Sequence, residues 1–406
     1  MTIRKVSVSN FKSYRNLELE LGNFTVLIGP NESGKSNFVE IFRFLRDVVN
    51  YGLENAISLQ GGPEYFRNVQ IGSSENFSLT IDYEKELTFQ LTKDERVIQI
   101  MINEIEYELS IGFNEEEFEI SRDKLTLACE LFELEPSKEG REEIKNTGKG
   151  KIILSNDKGK INIIQDLPES ILPDYVLETL PPRTLLVETT PLFLVPPFEK
   201  LFGDIPVYSF YSKPQRESAS LRGKIELEED GSNLAIVLRN ILKDENKRRK
   251  FLNLVKDVLP FVEGLNVERI LDNSLDLKIQ ETYAPRVLPF SALSRGTKSI
   301  IAFIVALYFE EKSLIIFEEP VAFMHPSLIS RVMDMFREAS RKKQIIITTH
   351  SPEVVKHADL DDVVLISRDK EGFSIISRPG ESKGVKTFLE NEIGIDDLYV
   401  QNLLEV

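Results

Sequence analysis

"VLIGPNESGKSN", Val26 to Asn37, sets two glycines, a lysine and a serine in one tight run directly after an apolar segment. The spacing Gly29-x-x-x-x-Gly34-Lys35-Ser36 is that of a phosphate-binding loop, and its surroundings supply the strand before and the helix after that such a loop needs. Upstream, Val6 and Val8, then Leu17, Leu19 and Leu21, alternate as strands do, and "FTVLIG" is the continuous apolar run of a buried strand. Downstream, Phe38, Ile41, Phe42, Leu45, Val48 and Val49 recur at helical spacing, with Gly52 as a stop. The glycines let consecutive amides converge on an anion, and the helix N-terminus adds partial positive charge. In such a loop Lys35 neutralises the β and γ phosphates and Ser36 ligates Mg²⁺. The candidate nucleotide-binding residues are Gly29, Pro30, Asn31, Glu32, Ser33, Gly34, Lys35, Ser36 and Asn37, and the expected ligands are ATP and Mg²⁺.

A phosphate loop needs a second acid on the metal side, at the end of a neighbouring apolar strand. "SLIIFEEP" supplies one: Glu318 is placed to hold Mg²⁺ and Glu319 to act as general base on the attacking water. "IIITTH" repeats the pattern, an apolar strand ending in polar residues, so that His350 falls at the same sheet edge, placed to sense the γ phosphate. "LSRGTKS", Leu293 to Ser299, opens a helix whose free amides suit either an anion, with Ser294 and Gly296 closest, or an ordinary cap. His325 and His357 have no such placement and read as loop or surface residues.

From about residue 285 helices and short apolar strands alternate, the mark of a parallel sheet buried on both faces. Residues 77 to 120 alternate in period two, as an antiparallel meander does. "PSKEGREEIKNTGKGK", Pro136 to Lys151, reads as a polar linker or loop, followed by a hairpin around "NDKG"; Leu167 to Pro197 reads as irregular. Two helices follow, through Leu234 to Ile241 and Phe251 to Val258. The expected fold is an α/β two-lobed head with a mixed or parallel core sheet, a flanking antiparallel meander and a helical or irregular insertion. The expected domains are 1–135 with the phosphate loop and meander, 136–284 as the insertion, and 285–406 with the acidic strand and His350.

Composition sets the bounds. With 41% hydrophobic and 29% charged residues over 406 positions the chain is ordinary for a globular protein. No apolar run reaches the roughly 18 to 20 residues that span a bilayer, and "MTIRKVSVSN" lacks the apolar stretch of a signal peptide, so a cytoplasmic protein without membrane contact is expected. The single cysteine, Cys129, excludes an intrachain disulfide and reads as a buried apolar residue. A net charge of −16 argues against wholesale coating of nucleic acid, so any DNA contact needs a local patch. The candidates are "NKRRK", Asn246 to Lys250, and "RKK", Arg341 to Lys343, each of which also reads as a solvated helix face.

In this order, "GPNESGKS", "LSRGTKS", "LIIFEEP" and "ITTH" resemble the ABC-type ATPase superfamily, and above all its soluble branch: RecF-like and SMC-like DNA-repair ATPases and the ATPase part of OLD-type phage-defence proteins. "VSNFKSYRNLELELGNFTVLIGPNESGKSN", "DGSNLAIVL" and "TTHSPEVV" are similar to that branch as well. The resemblance implies heads that dimerise face to face on ATP, Lys35 and Ser36 holding one nucleotide while Ser294 and Gly296 of a second copy cap its γ phosphate. Hydrolysis through Glu319 then releases the dimer. The chain departs from the family in several places. The Mg²⁺-sensing glutamine is unassigned, with Gln70 and Gln215 as candidates; Val321 replaces an acidic residue, and "FMHP" stands where a dimer-contacting loop is expected. Residues 351–406 are too few for the Toprim nuclease domain of OLD-type nucleases, so a nuclease or toxin activity is expected on a separate subunit. No heptad run for coiled-coil arms occurs. The expectation is an ATP-hydrolysing switch in DNA repair or phage defence; the alternatives are the ATPase subunit of a membrane transporter and a regulatory nucleotide-binding module with slow turnover.

Overall fold

A computed structural model describes residues 2–93, 96–114, 117–136, 142–171, 180–189, 202–210, 219–220, 224–270, 274–391 and 393–404. The strands in chain order are β1 (Thr2–Phe11), β2 (Tyr14–Glu20), β3 (Phe24–Ile28), β4 (Phe77–Lys93), β5 (Arg96–Phe113), β6 (Phe118–Pro136), β7 (Glu142–Asp157) and β8 (Lys160–Asp166). Then come β9 (Val207–Tyr208), β10 (Ala219–Ser220), β11 (Val262–Ile270), β12 (Ser274–Glu281), β13 (Leu288–Pro289), β14 (Leu314–Glu318), β15 (Gln344–Thr349), β16 (Val363–Arg368) and β17 (Ser374–Ser377). Two compact units interleave along the chain, one made of Met1–Gly22, Glu32–Ile205 and Ile366–Ile376, the other of Asn23–Asn31, Pro206–Leu365 and Ser377–Val406.

The first unit is built on a seven-stranded antiparallel sheet in the order β2-β1-β4-β5-β6-β7-β8. Alternation dictates its two faces: Ile98, Ile100, Ile102, Ile105, Tyr107, Leu109 and Ile111 of β5 are all buried, and the residues between them on the other face are polar except Met101. The helix Lys35–Tyr51 buries Phe38, Ile41, Phe42, Leu45 and Val48, and it stops at Gly52, whose φ of 85° suits glycine and whose amide bonds the Val48 carbonyl. Phe44 of this helix packs edge-on against Phe77 of β4.

The stretch Pro136 to Lys151 is not a loop: from Glu142 it is strand β7, paired with β6 through Pro136↔Glu142 to Lys124↔Ser155. Residues 137–141 lie outside the described set. The glycines that suggest a loop mark a close approach instead. A Cβ on Gly150 would stand 2.0 Å from the Asp166 carbonyl oxygen, so only glycine lets the neighbouring chain pass. Of Leu167 to Pro197 the described parts, 167–171 and 180–189, are irregular apart from a short 3₁₀ turn at Leu186–Glu188. Cys129 is buried in β6, and burial pushes its thiol up to about 11.

The second unit holds parallel strands in the order β16-β3-β15-β14-β9. Every residue of β3 and β15 is buried, which is why these segments read as unbroken apolar runs. Parallel pairing brings all the carboxyl ends to one edge. Ile28 is level with Thr349, and Glu318 with Thr348, so Gly29, Glu319 and His350 begin the loops of three consecutive strands. An antiparallel pair, β11 with β12, lies in the region expected to be helical or irregular. The helices Leu234–Lys243 and Glu245–Val258 stand close to where periodicity puts them. Among the described residues no helix is long and apolar enough to cross a membrane.

Asp123 of β6 is buried inside the first unit, accepting hydrogen bonds from the Tyr107 hydroxyl (3.1 Å), Asn156 Nδ2 (2.9 Å) and the Leu186 amide (2.8 Å). Desolvation pushes its carboxyl up to about 6, against the three donors that favour the anion. Between about pH 4 and 6 the folded state then binds a proton that the unfolded chain has lost, so stability falls as pH rises through that window. In Asp123→Asn the amide oxygen can accept from Asn156 and Leu186 while its NH₂ donates to Tyr107. The variant is expected to be at least as stable as wild type at pH 7 and to lose the pH 4 to 6 slope in urea titrations; an unchanged slope contradicts this assignment.

Candidate active site

The unit boundary falls inside the phosphate loop, between Asn31 and Glu32. In the first unit the carbonyls of three successive loop residues are taken up from outside the loop. The Glu32 carbonyl accepts Nε and Nη2 of Arg368 (2.9 and 2.7 Å), the Ser33 carbonyl accepts the Ser374 hydroxyl, and the Gly34 carbonyl accepts the hydroxyl of Tyr14 (2.9 Å). A trans peptide plane sets the next amide opposite its carbonyl, so these contacts turn the amides of Ser33, Gly34 and Lys35 away from Arg368, Ser374 and Tyr14. That is the arrangement of an anion-binding nest at a helix N-terminus.

The clamp is itself braced. Ser374 also bonds Ser13 Oγ (2.8 Å), which accepts Nδ2 of Asn37 (2.7 Å), and burial drives the Tyr14 phenol far above its ordinary value, holding it as a donor. Gly34 has φ 119°, and a Cβ there would stand 2.2 Å from Ser374 Oγ. Both facts demand glycine. Glu32 adopts φ 65°, an uncommon value for a non-glycine, directly where Arg368 holds its carbonyl. The Ser33 hydroxyl is buried with no hydrogen-bond partner among the described residues, an orphaned polar atom inside the loop. Lys35 is the first residue of the helix and is buried.

In the second unit Glu319 and His350 meet. Nδ1 of His350 lies 2.8 Å from Oε1 of Glu319, and the His350 amide donates to Oε2 (3.3 Å). The contact turns Nδ1 of the ring to the carboxylate and leaves Nε2 at its outer end. Glu319 has φ 46°, and its amide bonds the Thr348 carbonyl (2.9 Å). A left-handed glutamate at a strand end is a local strain of the kind found at working sites. Glu318 is the last residue of β14, partly exposed.

Ser294 caps the helix Arg295–Tyr308: its hydroxyl accepts the Thr297 amide (3.1 Å) and lies 2.9 Å from Thr297 Oγ1. Gly296 packs under the chain after Glu319, where a Cβ would stand 3.3 Å from the Phe323 carbonyl. His325 is a cap too, its Nδ1 accepting the Ser327 amide at the start of Pro326–Ser340. Gln70 donates to the Glu371 carbonyl (3.3 Å), and Gln215 lies outside the described residues. Sequence reasoning missed Tyr14, Arg368 and Ser374, whose roles appear only in the folded chain. It also missed Tyr399, whose hydroxyl bonds the Gly29 backbone within the second unit.

Each unit by itself offers a hard-oxygen donor of the kind that suits Mg²⁺, the Ser36 hydroxyl in the first and the Glu318 carboxylate in the second. Among the described residues no group of three or more His, Cys, Asp or Glu forms a metal cage.

Residues 24–356 match the family described as "AAA domain, putative AbiEii toxin, Type IV TA system". Two curated proteins of Methanocaldococcus jannaschii are similar over short stretches. "Uncharacterized protein MJECL43" is 26% identical over 121 residues, 27% of this chain, and the "Chromosome partition protein Smc" is 44% identical over 46 residues, 11% of this chain. The matched stretches span 32% and 4% of those proteins' own lengths. Among solved structures the chain is similar to an "SMC head domain from Thermotoga maritima", with 14% identity, 93% of this chain and 99% of that chain covered, and a TM-score of 0.44. It is also similar to an Smc head domain with an extended coiled coil from Pyrococcus furiosus, with 13% identity, 96% and 99% covered, and a TM-score of 0.46.

If the outward clamp shapes the loop, Arg368→Gln should weaken ATP binding roughly 10-fold or more, the effect of losing charge-assisted hydrogen bonds of about 1.5 to 3 kcal/mol. Equilibrium dialysis with labelled ATP measures this, with circular dichroism to confirm an unchanged fold. Wild-type affinity in the folded variant contradicts the clamp.

Proposed function

The chain belongs to the AAA-domain family that residues 24–356 match, and from that premise we propose that it is an ABC-type, SMC-like ATP-binding and ATP-hydrolysing switch that dimerises on its nucleotide in the cytoplasm. The observation that carries the reading is the loop with three carbonyls held from outside, because it pre-sets the amides for an anion before any ligand arrives. Lys35 neutralises the β and γ phosphates from the start of its helix. Ser36 and Glu318 would hold Mg²⁺, which supplies charge neutralisation on the phosphate oxygens when bound. Glu319 orients the attacking water and takes its proton, and His350 holds the Glu319 carboxylate in position while Nε2 serves the γ-phosphate side.

Ser294 and Gly296 of a second copy close over the γ phosphate. The cap bond from Ser294 to Thr297 fixes the first turn of that helix, so its amides point as a unit. Hydrolysis removes the shared γ phosphate and the two copies part. The matching family is described as a putative AbiEii toxin of a Type IV TA system, which supports a role in phage defence; DNA repair as the alternative setting, and an effector on a separate nuclease or toxin subunit, belong to the proposal.

The test is Glu319→Gln. Hydrolysis, followed by phosphate release, should fall roughly 10²- to 10⁴-fold, the usual contribution of a general base. ATP should still bind, and the variant should run as a dimer by light scattering when ATP is present. An unchanged rate refutes the assigned base, and a dead enzyme that stays monomeric with ATP bound refutes the nucleotide-linked dimer.

A further inference from the structure

The two basic runs of the sequence meet in the fold. Lys250, from "NKRRK", and Arg341, Lys342 and Lys343, from "RKK", line one pocket of about 300 Å³ within the second unit. The pocket lies by the amino ends of the parallel strands, since Lys343 immediately precedes β15. Glu319 and His350 follow the carboxyl ends of β14 and β15, roughly 15 to 20 Å away along strands of five and six residues.

The ordinary reading is that these cations offset helix ends. Two helices, Arg295–Tyr308 and Pro326–Ser340, finish here, Lys250 Nζ donates to the Tyr308 carbonyl (3.4 Å) and Lys343 Nζ to the Glu310 carbonyl (2.8 Å). The lining carries four cations and one carboxylate, Glu338; Glu310 and Glu311 also act on Lys343, and two helix ends add about half a negative charge each. Glu338 is held by the Tyr308 hydroxyl (2.9 Å), and among the described residues no carboxylate lies within 4.0 Å to pair with Arg341 or Lys342, both exposed. Burial pulls Lys343 down to about 8, a cost that a bound anion would offset.

The lining narrows the ligand. A nucleic-acid backbone offers its phosphates along an open track, whereas these cations line a concavity together with Leu307, Tyr308 and Ala339. A phosphate monoester carries about −1.5 to −2 charges at neutral pH, which the exposed Arg341 and Lys342 can meet. We propose that this pocket binds a small phosphorylated organic anion, its phosphate among Lys250, Arg341 and Lys343 and its organic part against Leu307, Tyr308 and Ala339. The inference stands apart from the phosphate-loop reading, because none of these residues belongs to that loop.

The experiment uses the full chain with Lys35→Ala, so that the loop does not compete. AMP, ribose 5-phosphate and glucose 6-phosphate are titrated calorimetrically into this protein and into the same protein carrying Arg341→Gln and Lys342→Gln, exposed positions whose change should leave circular dichroism unaltered. At least one compound should bind one per chain, and its affinity should fall 10-fold or more with the glutamines. Binding of none of the three overturns the proposal, as does binding that the glutamines leave unchanged. A 20-base-pair duplex that binds more tightly than all three and is lost with the same substitutions reassigns the pocket to nucleic acid and also overturns it.

Discussion

The candidate site depends on one constraint: the peptide planes at Glu32, Ser33 and Gly34 are each gripped by their carbonyl from outside the loop. A free glycine-rich turn would sample many orientations of its amides, and an arriving anion would have to bear the ordering cost. Arg368, Ser374 and Tyr14 bear that cost during folding. Their contributions differ in kind: a charged donor with two bonds, a hydroxyl tied into a serine and asparagine network, and a buried phenol kept protonated by its surroundings. Glycine at 34 is then fixed twice over, by its left-handed backbone and by the Ser374 hydroxyl against it.

The second constraint is parallel register. Strands that run in the same direction deliver their carboxyl ends to one edge, so a loop, an acid and a histidine from distant parts of the chain become neighbours within the second unit. The Glu319 contact with His350 follows from this alignment, and the left-handed backbone of Glu319 turns the acid back toward the histidine at the point where β14 ends. The opposite, amino edge collects the basic residues instead.

Much of this was legible in the sequence, for reasons that are physical. The strand before Gly29, the helix after Lys35, the acidic strand end and the strand ending at His350 all have strong local signals, unbroken apolar runs or a clean helical stripe, and local signals survive folding. Pro136 to Lys151 misled because glycine and charge usually mean a loop, whereas here Gly150 answers a neighbouring carbonyl that only the fold brings near. The pairing of β11 with β12 was written in the alternation of Leu275, Leu277 and Ile279, a pattern short enough to pass beneath the helical signal just before it. Asp123 also left a trace, since it keeps the inward phase of Leu125, Leu127, Cys129 and Leu131 along β6. Nothing local could announce Tyr14, Arg368 or Ser374, because their role lies in which distant carbonyl each one reaches.

The central claim is that the amides of Ser33, Gly34 and Lys35 form a ready anion site. Amide chemical shifts of the isotope-labelled full chain, followed while ATP and Mg²⁺ are added, test it most directly. The account predicts that those three amides shift further than any outside residues 29–37 and that they become slow to exchange with solvent. Saturating nucleotide that leaves all three unmoved would contradict it.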